Sequence, residues 1–379
     1  MRPVVLALHT CRCSVWDRQV AGLDRFCRAR GWAVRDACLG ASPDMGAVRR
    51  LCADARVVGV ISSLPVRLTS AVRAGRPLVC FDCPSAAVPT GVPYLRHDAE
   101  ATARLAGHAL FPLDCAAYAY VHVSGRPYWS RERCAAFRRE VAAGGRAFAG
   151  AFGEADGEAP FVRALRRWLG ALPRPCGIFA ANDEMALRLM AVARRAGLRV
   201  PQDVALVGVD DSARCVKVTP TLTSVAPDWE AGAFLAAETL DRLLAGRPVE
   251  ERLTFRPLGL VSRASTWRNA RAGDGCVVAG VAFIRENACA GIAVRDVVRT
   301  MGCSRRRAEV SFRAVTGRSI LEEIRRIRFE QARLLVRSGV TSEAAVANRC
   351  GYASLPTFAR TFRELHGMTF TDWVRKETR

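Results

Sequence analysis

A chain of 379 residues is too long for one ordinary core, and half of its residues are apolar, so burial is not limiting and two or three domains are expected. Its net charge of +21 is carried by arginine, all but Lys217 and Lys376 of the 57 basic residues; this points to a polyanionic partner or to a genome that writes Arg wherever a cation is tolerated. No stretch reaches the roughly 18 uninterrupted apolar residues of a membrane span, and the 15 cysteines stand singly apart from Cys80-Phe-Asp-Cys83 and Cys11-Arg-Cys13, so neither membrane, metal nor cofactor is expected and the thiols read as reduced, in the cytoplasm.

The N-terminus runs into Arg12, Asp17 and Arg18 without a small-residue cleavage site, so it reads as a first strand, 4–8, and not as a signal peptide. Residues 19–30 place Val20, Leu23 and Phe26/Cys27 on one helical face, and Gly31 ends the helix. Further buried strands are expected at 57–61, 78–81, 117–123, 177–180 and 205–209. Helices are expected at 99–109, 131–143, 160–169 and 183–196. Strands alternating with helices predict a parallel, doubly wound sheet, whose ligands sit beyond the carboxyl ends of its strands.

Those ends are polar. In chain order they bring Trp16 and Asp17, Asp82, Arg131 and Arg133, Asn182 and Asp183, then Asp210 and Asp211. Carboxylates, amides and guanidinium groups beside an aromatic face suit the hydroxyls and C–H surface of a sugar. Asp183 and Asp211 read equally as helix caps, and the arginines as surface cations. The recurrence of such residues at strand ends favours a binding cleft.

Three ordered segments, AANDEMA at 180–186, VPQDVALVGVDD at 200–211 and PTLTSVAPDW at 220–229, with PLGLVSRAST at 257–266, resemble effector-binding domains of the LacI/GalR family. The resemblance covers roughly 1–268. It implies an α/β, two-lobed, periplasmic-binding-protein-like domain with a sugar between its lobes. The positions matching that family's ligand residues are Asn182, Asp210, Trp229 and an arginine at Arg131 or Arg133. Members of that family carry their DNA-binding domain ahead of this region, and here none is expected ahead of it.

Residues 269–276, overlapping the polar stretch WRNARAGDG at 267–275, read as a linker. From there the pattern is all-helical, and 270–379 hold 20 Lys and Arg against 11 Asp and Glu, per residue nearly twice as basic as the rest. Helices are expected at 277–287, 294–301, 305–315 and 320–338, with Gly302 as a turn and Ser304 as an N-cap. After Thr341 the motif repeats, with helices at 342–349 and 354–365 around Cys350-Gly351-Tyr352. GYASLPTFARTFR at 351–363, with Gly367 and FTDWVR at 370–375, resembles the AraC/XylS-type DNA-binding signature over about 277–376. The resemblance implies an all-α double helix-turn-helix domain, 277–379. Tyr352, Phe358, Phe362 and Trp373 are spaced as a core. Ser304, Arg305, Arg306, Arg307, Glu309 and Arg313 on the first recognition helix, and Ser354, Thr357 and Arg360 on the second, are the candidate DNA contacts, because residues near a recognition helix's start reach base edges. Neighbours on a helix lie about 100° apart, so at least one of the three consecutive arginines is left with phosphate alone.

An effector domain of the first kind joined to a DNA reader of the second, with VWDRQV at 15–20 and FIRENACAGI at 283–292, is similar to bacterial xylose-operon activators. That similarity implies D-xylose as effector, paired repeats in double-stranded DNA as target, recruitment of RNA polymerase, and a homodimer. Another sugar on the same architecture is the second reading. A sugar-processing enzyme or a transport binding protein with an accessory helical domain is the third. Enzyme chemistry is disfavoured because no P-loop, GxGxxG, HExxH or GxSxG occurs, the five histidines are dispersed, and the adjacent carboxyls of Asp210 and Asp211 point opposite ways on an extended chain.

Overall fold

The computed structural model describes residues 2–9, 14–40, 44–64, 76–83, 88–153, 158–267, 275–316, 318–337 and 340–377. Two compact units divide the chain, Met1–Thr266 and Trp267–Arg379. Among the described residues no helix is long and apolar enough to cross a membrane.

The first unit holds two six-stranded sheets where the sequence suggested one doubly wound pattern. In the first sheet, β1 (Val4–His9), β2 (Ala33–Cys38), β3 (Val57–Ser62), β4 (Leu78–Phe81), β5 (Tyr94–His97) and β11 (Arg252–Phe255) run in the order β11-β5-β4-β3-β1-β2, all parallel. In the second, β6 (Ala117–Val121), β7 (Phe148–Phe152), β8 (Cys176–Ala180), β9 (Val204–Val209), β10 (Thr223–Pro227) and β12 (Pro257–Val261) run β12-β10-β9-β8-β6-β7, with only β12 antiparallel to its neighbour. Strands β1, β6, β8 and β9 are buried at every position, because helices cover both faces of a parallel sheet.

The chain crosses between lobes three times. After β5 it forms α3 (Ala99–Leu110), which packs on β9, β10 and β12; after β10 it returns as α7 (Trp229–Leu244), which packs on β3, β4 and α1 (Ser14–Ala29); β11 then leads into β12. The other helices of the unit are α2 (Met45–Cys52), α4 (Tyr128–Ala143), α5 (Glu158–Ala171) and α6 (Asp183–Arg195). Asp98, Asn182 and Asp228 cap α3, α6 and α7 by accepting from the backbone N–H of Ala101, Met185 and Ala231. Strand-to-helix turns therefore use their polar residues partly on themselves. Helices α1 and α7 approach so closely that a Cβ on Gly22 would lie 2.1 Å from the Glu230 carbonyl oxygen.

The second unit contains α8 (Gly275–Asn287), α9 (Val294–Met301), α10 (Arg305–Thr316), α11 (Ile320–Arg337), α12 (Glu343–Arg349), α13 (Leu355–His366) and α14 (Phe370–Glu377). Helix α8 begins inside the span read as linker, the rest of which lies outside the described residues. Gly302 ends α9 in a left-handed conformation, so α9–α10 is one helix-turn-helix, and α12–α13 is the second. Helix α14 was read only as part of a motif; Phe370 and Trp373 in it pack with Phe358 and Phe362 in one core, against which Tyr352 sits partly buried. The turn between α12 and α13 needs glycine: Gly351 has φ +74°, and a Cβ there would lie 2.6 Å from the Cys289 carbonyl oxygen. Arg328 of α11 donates to the carbonyls of Ala288 and Ile292 (2.8 and 2.9 Å) while its guanidinium stacks over Tyr352, so one side chain ties the two motifs together.

Candidate ligand cleft and nucleic-acid interface

The two sheets of the first unit meet through residues that follow their strands. Asp82, just after β4, takes a left-handed φ of 54°. Its Oδ1 accepts from the hydroxyl of Tyr128, the first residue of α4 in the opposite lobe, and lies 3.6 Å from His97 Nδ1. Arg133 of α4 is buried; its Nη1 donates to the Ala181 carbonyl (2.6 Å), its Nε reaches His97 Nε2 (3.3 Å), and its guanidinium stacks on Trp129. Accepting from Arg133 leaves the His97 proton on Nδ1, toward Asp82. Burial, with the nearby Arg133 charge, lowers the His97 pKa, so the ring is neutral. Burial acts on Asp82 in the opposite sense, but His97, Tyr128 and Arg133 outweigh it and the carboxyl lies below its ordinary value.

On the facing side, Asp210 and Asp211 both have positive φ, 106° and 47°, a backbone that costs of order 1–3 kcal/mol per residue. Arg18 of α1 crosses the cleft and holds this turn by donating to both carbonyls, at 3.0 and 3.1 Å. Asp211 pairs with Arg263. The Asp210 carboxyl, in contrast, receives no hydrogen bond among the described residues. Burial pushes its pKa up to about 7; Arg133 and Arg18 pull it down, Asp183 and Asp82 push it further up. Trp229, at the start of α7, is buried with its indole N–H unpartnered among the described residues, its ring 6.5 Å from His97. An acceptor and a donor are thus left open beside a fixed cation.

The remaining expected ligand residues fall elsewhere. Trp16 is buried, donates to Asp36 (3.0 Å) and stacks on His9 at 3.8 Å, so its ring face and N–H are engaged inside the first lobe. Asp17 is exposed on α1. Arg131 is exposed, donates to the Arg126 carbonyl and lines a separate cavity of about 570 Å³ with His122, Arg126, Arg138 and Arg139; of the two arginine candidates, Arg133 is the one joined to His97 and Asp82. The Asn182 carbonyl group is spent on the cap of α6. Asp183 is buried with both oxygens engaged, by Ser212 N (2.7 Å), Ser224 Oγ (2.6 Å) and Cys215 Sγ (3.0 Å), and ties α6 to the turn after β9 and to β10. Burial raises its pKa despite those bonds. Cys11, Arg12 and Cys13 lie outside the described residues. Arg18, His97 and Tyr128 were missed. Arg18 was adjacent to the residues chosen, His97 ends a strand not recognised as one, and Tyr128 opens a helix whose start was placed at 131.

In the second unit, α10 turns Ala308 and Phe312 into the core and leaves Ser304, Arg305, Arg306, Arg307 and Arg313 exposed. Glu309 is half-buried, with Oε2 3.5 Å from the Ile320 N–H at the start of α11; it is directed to that helix end rather than outward. On α13, the hydroxyls of Ser354 and Thr357 bond each other at 2.9 Å, and Arg360 is exposed beside Glu364. Four exposed arginines on the second helix of a helix-turn-helix form a surface suited to phosphate and guanine edges.

Comparison with known proteins agrees with this division. Residues 113–266 match the periplasmic binding protein-like domain family, and 297–376 match a helix-turn-helix domain family. The chain is 30% identical over 208 residues to the xylose operon regulatory protein of Escherichia coli (strain K12), covering 54% of this chain and 53% of that protein. The protein of the same name from Haemophilus influenzae is 28% identical, over 53% of this chain and 52% of that protein. The chain therefore spans about half the length of the curated relatives it matches. A solved structure of the xylose-binding transcription activator xylR superposes over 99% of this chain and 98% of its own, with TM-score 0.58 and 23% identity. The transcriptional regulator CelR in complex with cellobiose superposes over 70% of this chain and 85% of its own, with TM-score 0.61 and 25% identity. The fold is a two-lobed periplasmic-binding-protein-like domain with a helical helix-turn-helix domain after it.

Proposed function

We propose that this chain is a sugar-responsive, DNA-binding regulator of transcription whose first unit holds a small aldose, D-xylose, between Asp210, Arg133 and Trp229. The observation that carries this reading is the pair of open polar groups in the cleft, the Asp210 carboxyl and the Trp229 N–H, beside the buried Arg133 guanidinium. Buried polar groups left unpaired are costly, and a sugar hydroxyl satisfies donor and acceptor alike. Relatives named for the xylose operon support the pentose, and the arginine face of α10 supports double-stranded DNA as the partner. The same reading makes the protein a cytoplasmic homodimer with no enzymatic activity, activating transcription through RNA polymerase.

Calorimetric titration of the full chain with pentoses and hexoses tests the ligand. D-xylose is expected to bind most tightly, and heats indistinguishable from dilution for every sugar would remove the sensor half of the proposal. The pH dependence is specific. A folded pKa near 7, above the ordinary carboxyl value, means the sugar-free unit holds a proton its unfolded chain has lost, so its stability falls as pH rises from about 4 to about 7 and is level above. Sugar hydroxyls donate best to the ionised carboxylate. D-xylose affinity is therefore expected to rise about tenfold from pH 6 to pH 8, and Asp210→Asn to flatten that rise. A pH-independent affinity in the unaltered protein would show that Asp210 does not receive the sugar.

A further inference from the structure

The centre of the exposed face of α10 is apolar. Val310 is 64% exposed, one of the most exposed large apolar side chains among the described residues. At about 100° per residue it lies almost opposite Ala308 and Phe312, both fully buried. Arg306 and Arg307, one turn earlier, and Arg313, one turn later, flank it on both sides and are exposed. A single exposed valine is ordinary on a protein surface. Here it lies at the centre of a helix face whose flanking exposed side chains are cations, where a charged or amide side chain would be expected if phosphate were the only target.

We propose that Val310 reads a thymine through its C5-methyl group, with the flanking arginines setting the helix in the major groove. This rests on the reading of the second unit as a DNA-binding domain. The thymine methyl is the one apolar group that a standard base pair presents in the major groove. Valine in a helix is held to essentially one χ1 rotamer, so its two methyl groups stand at a fixed place and touch one base position rather than several. A protein partner fits poorly, because three guanidinium groups surround one small apolar side chain and leave too little apolar area for a stable interface. Val310 was not among the contacts expected from the sequence, where polar residues alone were considered as readers.

The test uses the full chain. Binding sites are first selected from random double-stranded oligonucleotides, and each thymine of the selected site is then replaced singly by deoxyuridine, which pairs identically but lacks the methyl. One replacement per half-site is expected to weaken binding by the unaltered protein about fourfold, the worth of one buried methyl group. The same replacement should cost Val310→Ser nothing. Because Val310 is exposed, that variant keeps its fold, checked by an unchanged circular dichroism spectrum. No sensitive thymine, or a penalty that persists in Val310→Ser, overturns the assignment while leaving DNA binding intact. If the full chain selects no sequence at all, the DNA-binding reading itself falls, and this assignment with it.

Discussion

Asp210→Ala is expected to weaken D-xylose binding by about 5- to 150-fold while leaving DNA affinity in the absence of sugar unchanged. The range follows from the roughly 1–3 kcal/mol lost when a buried polar partner is removed and its counterpart stays unpaired. The side chain suits the experiment because it makes no hydrogen bond to the described protein; the turn is held by Arg18 through the backbone carbonyls, which alanine keeps. The residue's φ of 106° is uncommon for any residue but glycine and is tolerated better by aspartate than by alanine, so the variant also carries a small backbone cost. Loss of sugar binding in a variant that still unfolds cooperatively is the expected pattern, and unchanged sugar affinity would show that the cleft has been placed wrongly.

Glu323→Ala is expected to destabilise the helical unit by about 1.5–3 kcal/mol, the worth of hydrogen bonds to a charged group, because Arg326 keeps Glu330 as a second partner. Glu323 is buried on α11 and receives two bonds from Arg326, at 2.9 and 2.6 Å, with Arg318 3.6 Å away. Burial alone raises its pKa, but these arginines more than compensate, and the carboxyl lies below its ordinary value. By linkage the pair stabilises the fold above the ordinary carboxyl pKa, and that stability is lost as pH falls through the lowered one. Hydrogen exchange read by mass spectrometry reports it: peptides from α11 to α14 should exchange faster in the variant, and peptides from β6 and β8 at the same rate. Equal protection in α11 to α14 would show that the pair is energetically idle.

How much of this was legible from sequence depended on how each segment is buried. Strands β1, β3, β8 and β9 read clearly because both faces are covered and the apolar run is continuous. Strands β2 and β7, Ala33–Cys38 and Phe148–Phe152, escaped notice because they lie at sheet edges and are half-exposed. The sequence Tyr94–His97 escaped because Arg96 and His97 are buried polar groups in a strand. Missing β5 cost the recognition of His97. The helical unit was easier, since its turns are marked by Gly302 and Gly351 and its helices by strong apolar periodicity.

At the site, position was easier to foresee than role. Asp183 and Asp210 both follow strands of the second sheet. Ser212, Cys215 and Ser224, distant in sequence, engage both oxygens of Asp183 and leave those of Asp210 open. Trp16 and Trp229 differ in the same way, since Asp36 takes the N–H of Trp16 and no described residue takes that of Trp229. Glu309 was among the expected DNA contacts, but its Oε2 lies 3.5 Å from the Ile320 N–H at the start of α11. Each distinction depends on a partner brought by the fold, not on the residue's own type or spacing.

The most direct test of the whole account is the affinity of the full chain for its selected DNA site, measured by fluorescence anisotropy with and without saturating D-xylose. The sugar is expected to change that affinity by a few-fold up to about 150-fold, and DNA to change sugar affinity by the same factor, as linkage requires. Identical DNA affinity with and without D-xylose, in a protein that binds both, would contradict it.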